Sequence, residues 1–349
     1  MTYEQLFKDL KAGSVRPVYL FFGPEQLVKQ SALEALQKKL LPAGLEALNH
    51  TLFDGAAAAR EIIEAAETLP MMCERRLVVV RDWAPLKSGK ARDEGAQGEE
   101  MERWISHAPD TCCLIFWMDD APDSRKKLVK NLSAQVEQVE FPLLSDGKIY
   151  TWLNQQLRPL GRHIEQDAVG QLVFMAGRPL TGLKNELDKL TAYAGERTVI
   201  TRQDVEAVVT PSGECTVFQM IDCVLEGRPA QAQKLLASLL EGGESCVGVL
   251  YMLTRQLRLM THIRLLREQG MALGEIEKKL SLNHFAATRS ASQAARFDPR
   301  RLEDSYRACV QADYAIKSGR VRDSAALDYL IFTLGRAGHM PEADDARPF

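Results

Sequence analysis

The chain has 349 residues, of which 46% are apolar and 26% charged, and its formal net charge is −3. This composition is typical of globular proteins and excludes the collagen-like, disordered and disulfide-scaffold classes. At roughly 100 to 200 residues per domain, we expect two to three domains. The near balance of positive and negative side chains argues against a protein that coats nucleic acid by itself.

The N-terminus and the cysteines indicate the compartment. No run of about 18 apolar residues occurs, and the N-terminal MTYEQLFKDLKAGS lacks the basic and then apolar arrangement of a secretion signal. The seven cysteines are an odd number, are spread over the whole length and form no Cys-x-x-Cys pair. We therefore predict a soluble, cytoplasmic protein with reduced thiols and no metal site.

The first 145 residues alternate short apolar runs with helical patterns. The runs predict strands at residues 18–22, 51–53, 77–80, 112–118 and 136–141. The patterns between them predict helices at residues 27–41, 57–68, 99–107 and 125–134. This alternation is typical of a parallel sheet with helices on both faces. Residues 84–100 are rich in glycine and charge, which favours a mobile surface loop over a charge-controlled switch.

After residue 145 we predict helices and no further strands. Four short helices are expected at residues 148–160, 166–176, 181–194 and 201–209, the last opened by a capping box of Thr201 and Asp204. Seven more are expected at residues 218–225, 229–240, 245–268, 273–280, 283–296, 299–318 and 324–334. The predicted fold class is α/β plus all-α. It comprises a sheet domain at 1–145, a small helical lid-like domain at 146–210, an all-α domain at 211–338 and a disordered tail at 339–349.

A sheet domain followed by a small helical domain is the arrangement of an AAA+ ATPase and its lid, so we compared the turn after the first strand with a phosphate loop. Such a loop, GxxxxGK[ST], holds phosphates with backbone N–H groups and a Lys, and magnesium with a hydroxyl. Gly23 and Lys29 stand in register, but Val28 replaces the second glycine and Gln30 replaces the hydroxyl residue. The loop is therefore degenerate, and ATP hydrolysis by this chain is not expected.

Neighbouring residues do not restore a catalytic site. Pro24 removes an N–H group from the turn, and Glu25 places an anion where a phosphate would rest. Asp82 follows the third strand without an adjacent Glu that would position a water molecule. Asp119 and Asp120 follow the fourth strand, where a solvated turn is favoured over a pair of catalytic carboxylates. We predict no catalytic residue and no metal ligand in this chain.

Several stretches, in order along the chain, carry a resemblance to a known family. They are PVYLFFGPEQLVKQSALEAL, ETLPMMCERRLVVVRDW, SRKKLVKNL and GLKNELDKLTAYAGERTVITRQDVEAVV, followed by RQLRLM, ARFDPRRL and ADYAIKSG. With them the chain resembles the delta subunit of the bacterial DNA polymerase III clamp loader, an AAA+ family, over essentially its full length. That family also has an eroded phosphate loop.

The resemblance implies a mechanism. In the family an apolar pair before the third strand enters a hydrophobic pocket on the ring-shaped sliding clamp and destabilises one ring interface. On this sequence the pair falls on Met71 and Met72, with Leu69 and Pro70 completing the plug. The sequence departs from the family in having two methionines where Phe or Leu is commoner, and a methionine loses more rotamer freedom than Phe on binding.

The resemblance also implies partners. They are the sliding clamp (beta subunit), the tau/gamma ATPase subunits and a delta-prime subunit, joined in a hetero-pentamer through a collar that corresponds to residues 211–338. ATP would be bound by the partner subunits, so this chain would need no cofactor. It would act without a catalytic site of its own, as a subunit of a DNA-directed DNA polymerase holoenzyme in the replisome at the bacterial nucleoid.

Contact with primed DNA inside that complex is a further expectation. Arg255, Arg258 and His262 share a helical face, and Lys317, Arg320 and Arg322 cluster where two helices meet. A solvated surface is the default for such charges, whereas a lining of the DNA chamber is the alternative. For the whole chain, two other functions stay open, namely an independent AAA+ ATPase with a degenerate phosphate loop and a non-catalytic helical adaptor.

Overall fold

A computed structural model of the chain describes residues 1–89, 94–282 and 284–336. The chain folds into two compact units. Among the described residues, the first unit contains those within 1–145 and 179–181, and the second contains those within 146–178 and 182–336. The further division near residue 210 and the disordered tail stay predictions, and the tail lies outside the described residues.

The first unit is built on a five-stranded sheet in which every pairing is parallel. Its strands are β1 (Val18–Phe22), β2 (His50–Phe53), β3 (Arg76–Arg81), β4 (Cys112–Trp117) and β5 (Glu137–Glu140). Their order in the sheet is β2-β3-β4-β1-β5, so the first strand lies between β4 and β5. All five predicted strands are confirmed, with boundaries that differ by at most one residue at either end.

Helices cover both faces of this sheet. They are α1 (Tyr3–Ala12), α2 (Gln26–Leu40), α3 (Glu46–Asn49), α4 (Ala59–Glu67), α5 (Glu94–Ile105) and α6 (Lys127–Gln135). Because side chains alternate along a strand, neighbouring residues of one strand enter different cores. Leu20 and Val78 pack with residues of α4, α5 and α6, whereas Phe21 and Leu77 pack with residues of α1 and α2.

Two expectations for the first unit are wrong. Helix α1 was not predicted, although Thr2 caps it and Leu6 and Leu10 are buried on one of its faces. Residues 84–100 are not one long loop, because a 3₁₀ turn at Ala84–Leu86 buries Leu86 completely and α5 begins at Glu94. Residues 90–93 of that predicted loop lie outside the described residues.

The second unit is mostly helical. Its helices are α7 (Asp146–Leu157), α8 (Gln166–Ala176), α9 (Leu180–Ala194), α10 (Arg202–Val208), α11 (Gly213–Leu225), α12 (Pro229–Glu241), α13 (Cys246–Glu268), α14 (Leu273–Leu280), α15 (His284–Arg296), α16 (Pro299–Lys317) and α17 (Asp323–Arg336). Leu180 and Thr181, the first two residues of α9, are grouped with the first unit. The prediction that strands end at residue 145 is wrong, because β6 (His163–Ile164) and β7 (Val199–Ile200) form a short parallel pair.

Side-chain caps fix several helix starts in this unit. Thr201 and Asp204 form the predicted capping box, in which the Thr201 backbone N–H donates to Oδ2 of Asp204 over 2.9 Å. Asp298 caps α16 by accepting from the N–H groups of Arg300 and Arg301.

No helix among the described residues is long and apolar enough to span a membrane.

Candidate functional site

The turn between α4 and β3 exposes apolar side chains. Leu69 is 73% exposed, Met71 54% and Met72 84%, while Pro70 is half-buried. Large apolar side chains are ordinarily buried when a sheet and its helices offer a core, so three exposed ones within four residues form an unusual cluster. The four residues predicted as a plug therefore lie together on the surface of the first unit. We call residues 69–72 the apolar plug.

A buried amide holds the backbone of the plug. The Asn49 side chain at the end of α3 is completely buried. Its Oδ1 accepts from the N–H of Met71 over 2.7 Å, and its Nδ2 donates to the carbonyl oxygen of Met71 over 2.9 Å and to that of Leu45 over 3.1 Å. Asn49 was not predicted as part of the site, because no local sequence pattern connects residues 22 positions apart.

The backbone around the plug is fixed on its C-terminal side as well. Met72 has φ +57°, in the left-handed region that non-glycine residues rarely adopt. Arg75 donates from Nη1 to the carbonyl oxygen of Val15 over 3.0 Å. Arg76 donates from Nη2 to Oγ1 of Thr51 over 3.0 Å, which connects the start of β3 to β2. The plug is thus an ordered turn and its methionine side chains project from an anchored backbone.

The turn after β1 occupies the position of a phosphate loop, at the carboxyl end of the sheet where α2 begins. Gly23 has φ +120°, and a Cβ there would lie 2.5 Å from the carbonyl oxygen of Phe141, so only glycine fits. Glu25 caps α2 by accepting from the N–H of Leu27, and its side chain is buried. Burial raises the pKa of this carboxyl above its ordinary value.

The Lys29 side chain points into the interior of the first unit. Its ammonium group is completely buried and donates to the carbonyl oxygens of Gly23 over 2.9 Å and Met118 over 2.7 Å. It also lies 3.5 Å from Oδ1 of Asp119 and 4.8 Å from the ring centre of Trp117. Burial lowers the pKa of Lys29, and the negative charge of Asp119 opposes that shift. All of these partners belong to the protein, so the ammonium group of Lys29 is already hydrogen-bonded and is not available to a phosphate.

The acidic residues near this loop are engaged in structural contacts. Asp82 Oδ1 accepts from the N–H of Asp119 over 3.3 Å and lies 3.3 Å from Nζ of Lys87. Partial burial alone would raise the pKa of Asp119, but a hydrogen bond from Gln26 and the charge of Lys29 lower it overall. A cavity of about 480 Å³ opens beside these groups and is lined in part by Gln26, Gln30 and Arg81. The structure thus brings Gly23, Lys29 and Gln30 to one place, while Val28 is half-buried in the core under α2.

The five predicted DNA-proximal residues are exposed in the second unit, on two separate stretches. Arg255 and Arg258 lie on α13, and Arg255 forms an ion pair with Glu214. Lys317, Arg320 and Arg322 lie at the turn between α16 and α17. Lys317 lies 2.7 Å from Oδ2 of Asp313, and the Arg320 guanidinium lies 5.3 Å from the ring centre of Tyr314.

All seven cysteines are free thiols, and five of them are buried. Burial raises the pKa of Cys112 to about 12, which keeps it protonated and unreactive at neutral pH. Within residues 1–89, 94–282 and 284–336, no group of three or more His, Cys, Asp or Glu side chains could hold a metal ion.

The first unit is a parallel α/β fold of the kind that binds nucleotides, but its own side chains fill the phosphate-loop position. A mostly helical unit accompanies it in the chain. These two features define the class of protein. Two family models identify the class more closely. The model described as DNA polymerase III, delta subunit, matches residues 19–142, and the one described as the C-terminal domain of that subunit matches residues 214–334. The chain belongs to the delta subunit family of DNA polymerase III, as the resemblance predicted.

Individual relatives agree with this assignment. DNA polymerase III subunit delta of Bacillus subtilis is 25% identical over 332 residues, which cover 94% of this chain and 96% of the relative. A probable DNA polymerase III subunit delta of Aquifex aeolicus is 26% identical over 276 residues, which cover 76% of each chain. The solved structure of a Bacillus subtilis DNA clamp loader delta protein matches with a TM-score of 0.53 at 24% identity, covering 96% of this chain and 99% of that one. The predicted fold class, α/β followed by helices, is confirmed.

Proposed function

We propose that this chain binds a ring-shaped sliding clamp through the apolar plug and opens the ring, so that the clamp can be loaded on primed DNA during replication. The observation that carries the proposal is the exposure of Leu69, Met71 and Met72 on an anchored turn. Family membership supports it, because the resemblance implies that residues 69–72 are the clamp-contacting segment and the family model matches residues 19–142.

The plug can supply binding energy of a useful size. Burying one methionine side chain contributes about 1.5 to 3 kcal/mol, so the pair contributes about 3 to 6 kcal/mol before the entropy of ordering is subtracted. That is enough for a hot spot at an interface. It is modest against a whole ring interface, and we therefore propose that the chain traps a ring that opens spontaneously. Such trapping requires only that the plug bind the open ring more tightly than the closed one.

The test is the affinity of the purified chain for the sliding clamp of its own organism. Met71→Ala combined with Met72→Ala should weaken that affinity by about 100-fold or more, because most of the apolar area of the plug is lost. Both side chains are largely exposed, so the thermal midpoint of the free chain should change little.

A matched control separates the plug from general surface hydrophobicity. Leu160 is 59% exposed in the second unit and is not part of the plug. Leu160→Ala should therefore leave clamp affinity unchanged. If the double methionine variant bound the clamp as tightly as the unchanged chain, the assignment of residues 69–72 would be wrong.

We also propose that ATP acts through partner subunits rather than through this chain. The support is local, since Lys29 already donates to Gly23 and Met118 and Glu25 fills the anion position. The proposed agents are tau/gamma ATPase subunits and a delta-prime subunit, joined with this chain in a hetero-pentamer.

Exposed apolar side chains on the second unit support contact with such subunits. They form pairs at helical spacing, namely Val247 with Tyr251 on α13 and Val310 with Tyr314 on α16. A cytoplasmic site of action, with the replisome, is part of the same proposal.

A further inference from the structure

Asn49 lies outside the apolar plug but contacts its backbone. Asn49 is completely buried at the junction of α3 and β2, and its amide pairs with both the N–H and the carbonyl of Met71. A third hydrogen bond, from Nδ2 to the carbonyl of Leu45, fixes the orientation of the amide plane. A side chain that donates and accepts at one residue holds that residue much as a neighbouring strand would.

The strain next to this contact shows that the turn needs support. Met72 has φ +57°, a conformation that costs an ordinary L-residue free energy and persists only where its surroundings impose it. Leu69, Met71 and Met72 are exposed, so little packing of their own side chains holds the turn in place. The amide of Asn49 is the contact that ties the middle of the turn to the sheet unit.

We propose that Asn49 is a positioning residue for clamp binding, which pre-organises the plug by holding the backbone of Met71. The inference rests on the proposed function of the plug. Asn49 lowers the entropic cost of clamp binding, because a turn that is ordered before binding does not have to be ordered by the clamp. Without the amide, the two methionines would sample many directions and only a fraction of the molecules would present both side chains together.

The first measurement needs no clamp. Asn49→Leu keeps a similar volume but removes all three hydrogen bonds, and Asn49→Ala removes most of the side chain. In either variant, hydrogen exchange at the Met71 amide should be at least tenfold faster than in the unchanged chain, while amides in the centre of β3 and β4 keep their protection. Unchanged exchange at Met71 would overturn the proposal, since the amide would then not depend on Asn49.

The second measurement is clamp affinity. Asn49→Leu should weaken binding about tenfold although it removes no surface that contacts the clamp. Asn131 on α6 offers a matched control, because its amide donates to Glu102 over 2.9 Å and does not contact the plug. Asn131→Leu should leave both clamp affinity and Met71 exchange unchanged. Equal loss of affinity in the Asn131 and Asn49 variants would assign the effect to general destabilisation and refute positioning.

A double-mutant cycle distinguishes positioning from a structural role. If Asn49 acts through the plug, Asn49→Leu should weaken binding less in a Met72→Ala background than in the unchanged chain, because there is less plug left to position. Additive effects would contradict the proposal. Failure of the proposed function has a different signature, in which the double methionine variant keeps its clamp affinity. If that variant loses binding while Asn49→Leu binds normally, only the inference about Asn49 fails.

Discussion

At the scale of single residues, the first βα turn shows how a nucleotide-binding position can be filled from within. Glu25 stands at the N-terminus of α2, where backbone N–H groups and the helix dipole favour an anion. Lys29 keeps the position of a phosphate-loop lysine but donates to two backbone carbonyls of its own chain. The helix N-terminus and the lysine that bind phosphate in other proteins are here satisfied by groups of the same chain.

The buried carboxyl of Glu25 predicts a specific dependence of stability on pH. Its folded-state pKa is raised by burial, so between its ordinary pKa and the folded one the folded chain binds more protons than the unfolded chain. The stability contributed by protonation is therefore present below the ordinary pKa and is lost as pH rises through the folded one. Glu25→Gln keeps an oxygen acceptor for the Leu27 N–H but cannot ionise.

We expect the stability difference between Glu25→Gln and the unchanged chain to shift in favour of the variant as pH rises from about 4 to 8. Urea unfolding at a series of pH values measures this difference. Glu34→Gln is the matched control, because it removes an exposed carboxylate from the same helix. A difference that stayed constant across this pH range would show that Glu25 does not carry the predicted ionisation.

At the scale of elements, the sequence predicted most of the architecture because the dominant signals are local. The strand at β4 is a run of six buried residues, and α14 was predicted with the boundaries it has in the structure. The two-residue strands β6 and β7 are too short to show a period, and they form only because residues 163–164 and 199–200 meet in space. Asn49 escaped prediction for the same reason, since its role depends on a contact with Met71 across the turn.

The cap of α16 predicts a measurable loss of stability. Asp298 Oδ1 accepts from the N–H of Arg300 over 2.9 Å and from that of Arg301 over 3.2 Å, and Pro299 occupies the first helical position. Asp298→Ala should lower the free energy of unfolding by about 1 kcal/mol, because the N–H groups at the helix start lose their acceptor. Chemical denaturation measures the change, and Asp304→Ala in the exposed interior of the same helix should cost less than half as much.

At the scale of the whole molecule, the net charge is −3, and the two predicted contact regions lie in different units. The exposed apolar plug lies in the first unit, while the predicted DNA-proximal arginines and lysine lie in the second. Arg255 and Lys317 already have acidic neighbours, Glu214 and Asp313, which partly neutralise them. Among the described residues, Arg258 and Arg322 are exposed and form neither an ion pair nor a ring contact, so of the five predicted residues these two have the charges most available for phosphate.

Contact with DNA can be tested by its salt dependence. In the assembled complex, Arg322→Gln should weaken binding to primed DNA and reduce the slope of log affinity against log salt by about one, because one fewer counterion is released. Arg307→Gln removes an equal charge from the exposed surface of α16, where Arg307 pairs with Glu303, and should leave the slope unchanged. An unchanged slope for the Arg322 variant would remove that residue from the DNA-contacting set.

The contacts that fill the phosphate-loop position limit what a single substitution can achieve there. Withdrawing the Lys29 ammonium would leave the carbonyls of Gly23 and Met118 without donors, and removing Glu25 would leave the start of α2 without its cap. Restoring a glycine at position 28 or a hydroxyl at position 30 would bring no benefit while those two side chains stay in place. No single substitution is therefore expected to recover a phosphate loop, because the contacts of Glu25 and Lys29 must be released together with the changes at positions 28 and 30.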